Sequence, residues 1–182
     1  AMAMTTPAYA EGWDKADGLV HHLKCPHFWR HGNGMTEAQY MDYLLEDAKS
    51  HIETLGSENI ACFIAEPIQG AGGLIVPPEG YHVKMGELCK EYDIKYITDE
   101  VVTAFGRLGH FFASKDVFGV QPDIITTAKG LTSGYQPLSA TIISDEIHEV
   151  ISGEGSMFLH GMTYSGHPAA SAAALANIAL ME

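Results

Sequence analysis

Two short β-prone runs, each ending on an ionisable residue, limit what this chain can fold into. Tyr96-Ile97-Thr98 runs into the acid pair Asp99-Glu100, and Ile124-Ile125-Thr126-Thr127 runs into Ala128-Lys129-Gly130. Both are rich in the β-branched and aromatic residues that suit a pleated, half-buried surface, so both read as strands. Each delivers an ionisable side chain at its carboxyl end, an acid from the first and an amine from the second. In open α/β sheets, ligands bind outside that edge. Lys129 follows an apolar strand and precedes a glycine. An amine there is expected to be partly desolvated, which favours its neutral, nucleophilic form. Taken alone, Asp99 reads first as a turn or cap residue, and a single lysine as a solvated surface charge.

The flanking segments supply the other elements of an α/β domain. Thr36 with Gln39 forms a capping-box pattern, and Met41, Leu44, Leu45, Ala48, Ile52 and Leu55 recur at helical spacing, so Thr36–Leu55 is expected to be a helix that stops at Gly56. Ile60–Ala65 is a continuous apolar run suited to a strand buried on both faces, ended by Glu66-Pro67. Gly70-Ala71-Gly72-Gly73 lacks the G-x-G-x-x-G spacing of a dinucleotide site and precedes Pro77-Pro78, so a flexible loop is expected. Tyr81–Tyr92 reads as a second helix with Val83, Leu88 and Cys89 inward. Strand, helix and strand in succession predict a βαβ unit with its two strands parallel. Phe111–Phe118 reads as a short helix, Ser139–Ser144 as a fourth strand, Ser144-Asp145 as the cap of a helix to Ile151, and Pro168–Met181 as a final Ala-rich helix. The fold class is α/β with a mostly parallel sheet.

The chain has 182 residues, enough for one domain with its own core. A net charge of −13 disfavours nucleic acid and anionic membrane as partners, and no apolar run reaches the length of a membrane helix. The Ala-Met-Ala-Met start has neither the basic segment nor the apolar core of a signal peptide. Cys25, Cys62 and Cys89 are odd in number and widely spaced, which suits reduced thiols and a cytoplasmic protein. Residues 1–35 lack sustained periodicity. Their His21, His22, Cys25, His27 and His31 match no standard zinc spacing, so no metal site is expected and a surface loop is.

Several blocks, taken together, carry a family resemblance. Asp99-Glu100-Val101, Phe105-Gly106-Arg107 with Gly109, Pro122-Asp123-Ile124 and Ala128-Lys129-Gly130-Leu131 resemble the cofactor signature of class III (omega-type) aminotransferases. Glu66-Pro67-Ile68-Gln69-Gly70 upstream and Gly161-Met162-Thr163-Tyr164-Ser165-Gly166-His167-Pro168 downstream resemble two further blocks, in the family's order. The resemblance runs from about Ile60 to the C-terminus. It implies a three-layer α/β/α fold like the large domain of fold-type I pyridoxal-phosphate enzymes. It also implies that residues 1–182 are part of that domain. The family's phosphate cup, its small domain and its substrate-binding arginine have no counterpart in this chain.

The resemblance assigns roles residue by residue. Lys129 would form the Schiff base with pyridoxal 5′-phosphate, and Asp99 would pair with the ring nitrogen. Val101 would pack on the ring face, with simple core packing as the other reading. Gln69 would lie near the phenolic oxygen, and Glu66 would be an active-site acid facing a substrate arginine. Thr163 would reach the cofactor phosphate of a neighbouring subunit, which implies a homodimer. Glu100 would stand behind Asp99, and Arg107 would brace structure. Two positions depart from the family pattern: Ala104 replaces a frequent glycine, and Val102 replaces a glutamine found in some members. The implied reaction is ping-pong transfer of an amino group from an amine or omega-amino acid to a keto acid such as pyruvate, with Lys129 moving the proton. A mutase, racemase or decarboxylase on the same scaffold, or a non-catalytic binding protein, remain the alternatives.

Overall fold

The computed structural model describes residues 4–5, 7–16 and 18–182. Two four-residue helices, α1 (Pro7–Ala10) and α2 (Phe28–His31), interrupt an otherwise irregular, largely exposed entry segment. The expected His and Cys loop lies here, apart from residues 1–3, 6 and 17, which are outside the described residues. Among the described residues, no three His, Cys, Asp or Glu side chains are grouped as a metal site.

Helix α3 (Glu37–Leu55) begins where the capping box places it. Thr36 accepts from the Gln39 N–H, and the Gln39 side chain accepts from the Thr36 N–H at 2.8 Å. Gly56 ends the helix with φ +78°. Tyr40, Met41, Leu44, Ala48 and Ile52 form its buried stripe. After a 3-10 turn at Ser57–Asn59, strand β1 (Cys62–Ala65) starts two residues later than expected. Helix α4 (Tyr81–Glu91) then leads to β2 (Lys95–Asp99). β1 and β2 pair in parallel, Ala65 opposite Thr98, as the connecting helix requires.

The core sits between α3, α4 and one face of β2, where Tyr40, Met85, Leu88, Cys89, Ile94 and Tyr96 are buried together. Each such side chain contributes about 1.5–3 kcal/mol on leaving water. Along β2, Tyr96 and Thr98 face this core, while Ile97 and Asp99 lie on a half-buried face. β1 is the edge strand, with Cys62 exposed and the rest half-buried, so the expectation of burial on both faces does not hold. A one-turn helix, α5 (Ala113–Asp116), precedes β3 (Ile124–Thr127), which pairs in parallel with β2. β4 (Ala140–Ile143) runs antiparallel to β3, giving the order β1-β2-β3-β4. Helix α6 (Asp145–Ser152) is capped by Ser144, and its Glu146 meets Lys95 at 2.7 Å. The last element is α7 (Pro168–Ala179). Among the described residues, no helix is long and apolar enough to cross a membrane.

His82 is a buried polar residue of this core, 2% exposed. Its Nε2 lies 3.0 Å from the Pro67 carbonyl and its Nδ1 2.8 Å from the Tyr96 hydroxyl. A carbonyl only accepts, so Nε2 carries the proton and Nδ1 accepts from Tyr96. The ring thus joins α4 to β2 and to the turn after β1. Burial lowers its pKa from 6.5 to about 4. The unfolded chain therefore binds a proton below about pH 6.5 that the folded chain takes up only near pH 4. Stability is lost as pH falls through that window. Between pH 7 and 4.5 the protein should lose about 2 kcal/mol more than a His82→Gln variant, measured by urea unfolding at both values. Equal losses in the two proteins would refute the assignment.

Candidate active site

Parallel pairing brings three chain exits to one edge of the sheet. Ala65 of β1 lies opposite Thr98 of β2, and Asp99 opposite Thr126 of β3. Glu66 follows β1, Asp99 closes β2, and Lys129 lies two residues past the end of β3. The register puts Asp99 and the β3 end that leads to Lys129 at the carboxyl ends of neighbouring strands, as expected.

Asp99 serves its turn with one oxygen. The Val101 N–H donates to Oδ1 at 3.0 Å, and Oδ2 has no hydrogen-bond partner among the described residues. Val101 itself is half-buried. The next residue, Glu100, points the other way and is fully buried at 0% exposure. Its Oε2 accepts from the Ala113 N–H at 2.7 Å and its Oε1 from the Ser114 N–H at 2.8 Å, while the Thr103 hydroxyl donates to Oε2. Its own N–H donates to the Thr126 carbonyl at 2.8 Å. One residue therefore ties the end of β2 to β3 and to the start of α5. Between Glu100 and α5 the chain doubles back, with the Phe105 N–H donating to the Phe111 carbonyl. Phe105, Phe111 and Phe112 pack edge to face with centroids 4.9–5.8 Å apart.

Lys129 opens a 3-10 turn, Lys129–Thr132, with φ +37°, a backbone that L-residues rarely adopt. Gly130 lies against Phe105: a Cβ there would come within 3.1 Å of the Phe105 Cβ and 3.4 Å of the Ala104 carbonyl. The aromatic hairpin thus backs the lysine turn, and any side chain at Gly130 would push them apart. Contrary to the sequence-based expectation of partial desolvation, Lys129 is exposed. The left-handed turn lifts it off the strand end, and the sheet face carrying Asp99 is itself only half-covered.

The other expected residues divide. Glu66 Oε2 accepts from the Gly70 N–H at 2.8 Å, and a Cβ at Gly70 would lie 3.1 Å from Val102 Cγ2. The Glu66 turn therefore touches the segment after Asp99. Gln69 Oε1 accepts from the Cys25 thiol at 3.4 Å, and Gln69 bridges Ile75, so the expected flexible loop is a closed turn. Arg107 is exposed and makes no hydrogen bond or ion pair among the described residues, so it braces nothing there. Thr163 is exposed in the irregular segment 153–167, away from any hydrogen bond with the strand-end residues.

Two residues escaped the sequence reading. His82 looked like any helical histidine. Asn177, on α7, donates to the carbonyls of Gly130 and Leu131 at 2.8 and 3.1 Å. Its signal was present as the one amide in an Ala-rich helix.

A mostly parallel α/β sheet with an acid and a lysine at one carboxyl edge is the architecture of fold-type I transaminases. The model of the class-III aminotransferase family matches residues 1–182, and the chain belongs to that family. Putrescine–pyruvate aminotransferase of Pseudomonas aeruginosa is 46% identical over 164 residues, 90% of this chain and 35% of that protein. Mitochondrial gamma aminobutyrate transaminase 1 of Solanum lycopersicum is 45% identical over 173 residues, 93% of this chain and 33% of that protein. The structure of an (S)-enantioselective omega-transaminase from Thermomicrobium roseum superposes with a TM-score of 0.92 at 46% identity, over 97% of this chain and 39% of that one. The chain spans about a third of the length of the curated relatives it matches.

Glu100 offers a direct test of the edge. In Glu100→Gln, one of the two captured N–H groups would face an amide NH2 instead of an oxygen. Stability should fall by about 2–3 kcal/mol in urea unfolding, because a buried donor is left without a partner. An unchanged midpoint would show that the carboxylate does not hold this loop.

Proposed function

We propose that the protein containing this chain transfers an amino group from an amine or omega-amino acid to a keto acid such as pyruvate, using pyridoxal 5′-phosphate. The carrying observation is the placement of Asp99 and Lys129 at one sheet edge, with Asp99 Oδ2 unengaged. Family membership supports the reaction class. The name putrescine–pyruvate aminotransferase supports the donor and acceptor classes. The chemistry of the residues fits the group: a primary amine to link it, a carboxylate oxygen for its ring nitrogen, and the half-buried Val101 as apolar cover.

When bound, pyridoxal phosphate supplies a carbonyl that condenses with amines and a protonated ring that withdraws electrons from the adjacent carbon. Asp99 Oδ2 would hold the proton on that ring nitrogen. Its other oxygen, taken by the Val101 N–H, fixes the carboxylate plane. Lys129 Nζ would link the group to the chain, and its free amine would take the proton from the substrate carbon that bears nitrogen. Glu66, held by the Gly70 N–H, would face the substrate-binding arginine. Gln69 is the candidate for the phenolic oxygen.

The reading extends to assembly. The protein is a homodimer in which Thr163 serves the neighbouring subunit's phosphate, and the chain is part of a larger pyridoxal-phosphate domain. In support, Thr163 lies in a stretch whose Met157, Phe158, Leu159, Met162 and Tyr164 are all exposed, an apolar run suited to burial against another surface.

Borohydride reduction of the full-length protein followed by peptide mapping should place the cofactor on Lys129, and a label on another lysine overturns the assignment. Asp99→Asn should lower kcat about a hundredfold or more, the usual scale for losing a charge aimed at the reacting group. Activity with amines and pyruvate is expected, whereas strict dependence on 2-oxoglutarate would move the acceptor. Thr163→Ala should weaken cofactor binding about tenfold for one lost hydrogen bond to a charged group, read by equilibrium dialysis. An active dilute monomer would refute the shared site.

A further inference from the structure

The turn that carries Lys129 packs on Phe105 at Gly130, and one side chain from outside the turn holds it by hydrogen bonds. Within the turn, the Leu131 N–H donates to Ala128, the Ser133 N–H to Gly130, and the Gly134 N–H to Lys129. These bonds close the turn but do not fix it to the domain. Two of its residues are left-handed without being glycine, Lys129 at φ +37° and Ser133 at +50°. Such a backbone persists only where its surroundings over-determine it.

Asn177 of α7 supplies that restraint. Its Nδ2 donates to the Gly130 carbonyl at 2.8 Å and to the Leu131 carbonyl at 3.1 Å. Its Oδ1 accepts from the Ser133 hydroxyl. Carbonyls only accept, so the nitrogen must face them and the amide has one permitted orientation. Both amide N–H donors and the oxygen are used on three residues of the turn, Gly130, Leu131 and Ser133. The side chain spans 46–47 positions of sequence to do so.

We propose that Asn177 is a positioning residue for Lys129. It clamps the lysine turn to α7 and so fixes where the lysine side chain leaves the sheet edge. The amine is then presented from one origin rather than from a relaxing loop. The role rests on reading Lys129 as the cofactor lysine, but the clamp can be measured without that reading.

Asn177→Asp keeps the shape and removes both donors, placing a carboxylate against two carbonyls. In the full-length protein, hydrogen exchange of peptides covering 128–135 should be about tenfold faster, the scale of losing two neutral hydrogen bonds, with β2 and α4 unchanged. Attachment of pyridoxal phosphate to stripped protein, followed by absorbance, should slow by a similar factor. The kcat should fall with KM for the keto acid unchanged. A packing role alone would leave this isosteric variant like the parent. Unchanged exchange, or equal acceleration in every peptide, overturns the clamp. If Asn177→Asp does not fold, Ser133→Ala removes only one bond of an exposed residue. About threefold faster exchange confined to 128–135 then supports the clamp, and no change overturns it. Localised acceleration with cofactor on a different lysine would sink the Lys129 reading and leave the clamp standing. Unaltered exchange with cofactor on Lys129 would do the reverse.

Discussion

Two adjacent backbone N–H groups converge on the buried carboxylate of Glu100, and the strand-end edge hangs from that contact. A fully buried carboxylate is costly unless its oxygens are satisfied, and here Ala113, Ser114 and Thr103 satisfy them. The same residue is bonded through its main chain to Thr126 and Ala104. One side chain thereby sets the distance between the end of β2, the end of β3 and the start of α5. The aromatic hairpin between Glu100 and α5 is closed at both feet, and it is this hairpin that Gly130 leans on. The chain places a half-engaged carboxylate, Asp99, beside a satisfied one. Neighbours along a strand face opposite sides, so Asp99 takes the open face and Glu100 the core.

How much of this could be read from the chain depends on range. Local signals were legible. The Thr36–Gln39 box, the Gly56 stop and the Ser144 cap are decided within a few residues, and the structure reproduces each. The strands at Ile60 and Tyr96 and their parallel pairing followed from apolar and β-branched runs and the helix between them. What the sequence hid was non-local. That β1 lies at a sheet edge depends on its neighbours, so an apolar run could not reveal an exposed Cys62. The Gln69–Cys25 contact joins residues 44 positions apart, and no spacing rule announces it. Arg107 looked like a brace because arginine often is one, yet it sits at an exposed hairpin tip. Asn177 was visible only as an odd polar residue until α7 was seen against the lysine turn.

Both readings of Asp99 are physically satisfied at once. As a turn residue it accepts from its own chain two positions on. As an acid it retains one oxygen for another group. A side chain with two acceptor atoms can serve structure and chemistry together, and the structural bond orients the remaining oxygen. Lys129 has no such division. Its main chain is held by the turn and by the contacts around Gly130, and its side chain is left to solvent. The pair therefore combines a carboxylate rigid from its own backbone with an amine whose mount is rigid and whose arm is not.

The single antiparallel strand has a consequence for chain reach. β4 carries the chain from the site edge back to the opposite edge, where Glu146 of α6 meets Lys95 at the start of β2. Asn177 returns it to the site edge. The crossing height is that of a short strand, roughly 15 Å. The connection at residues 153–167, fully extended, has a contour length of roughly 50 Å. A tether more than three times the span it bridges is not pulled taut by its ends. Its course is decided by the surfaces it meets along the way, which leaves this stretch the length to reach well beyond the sheet before α7 begins.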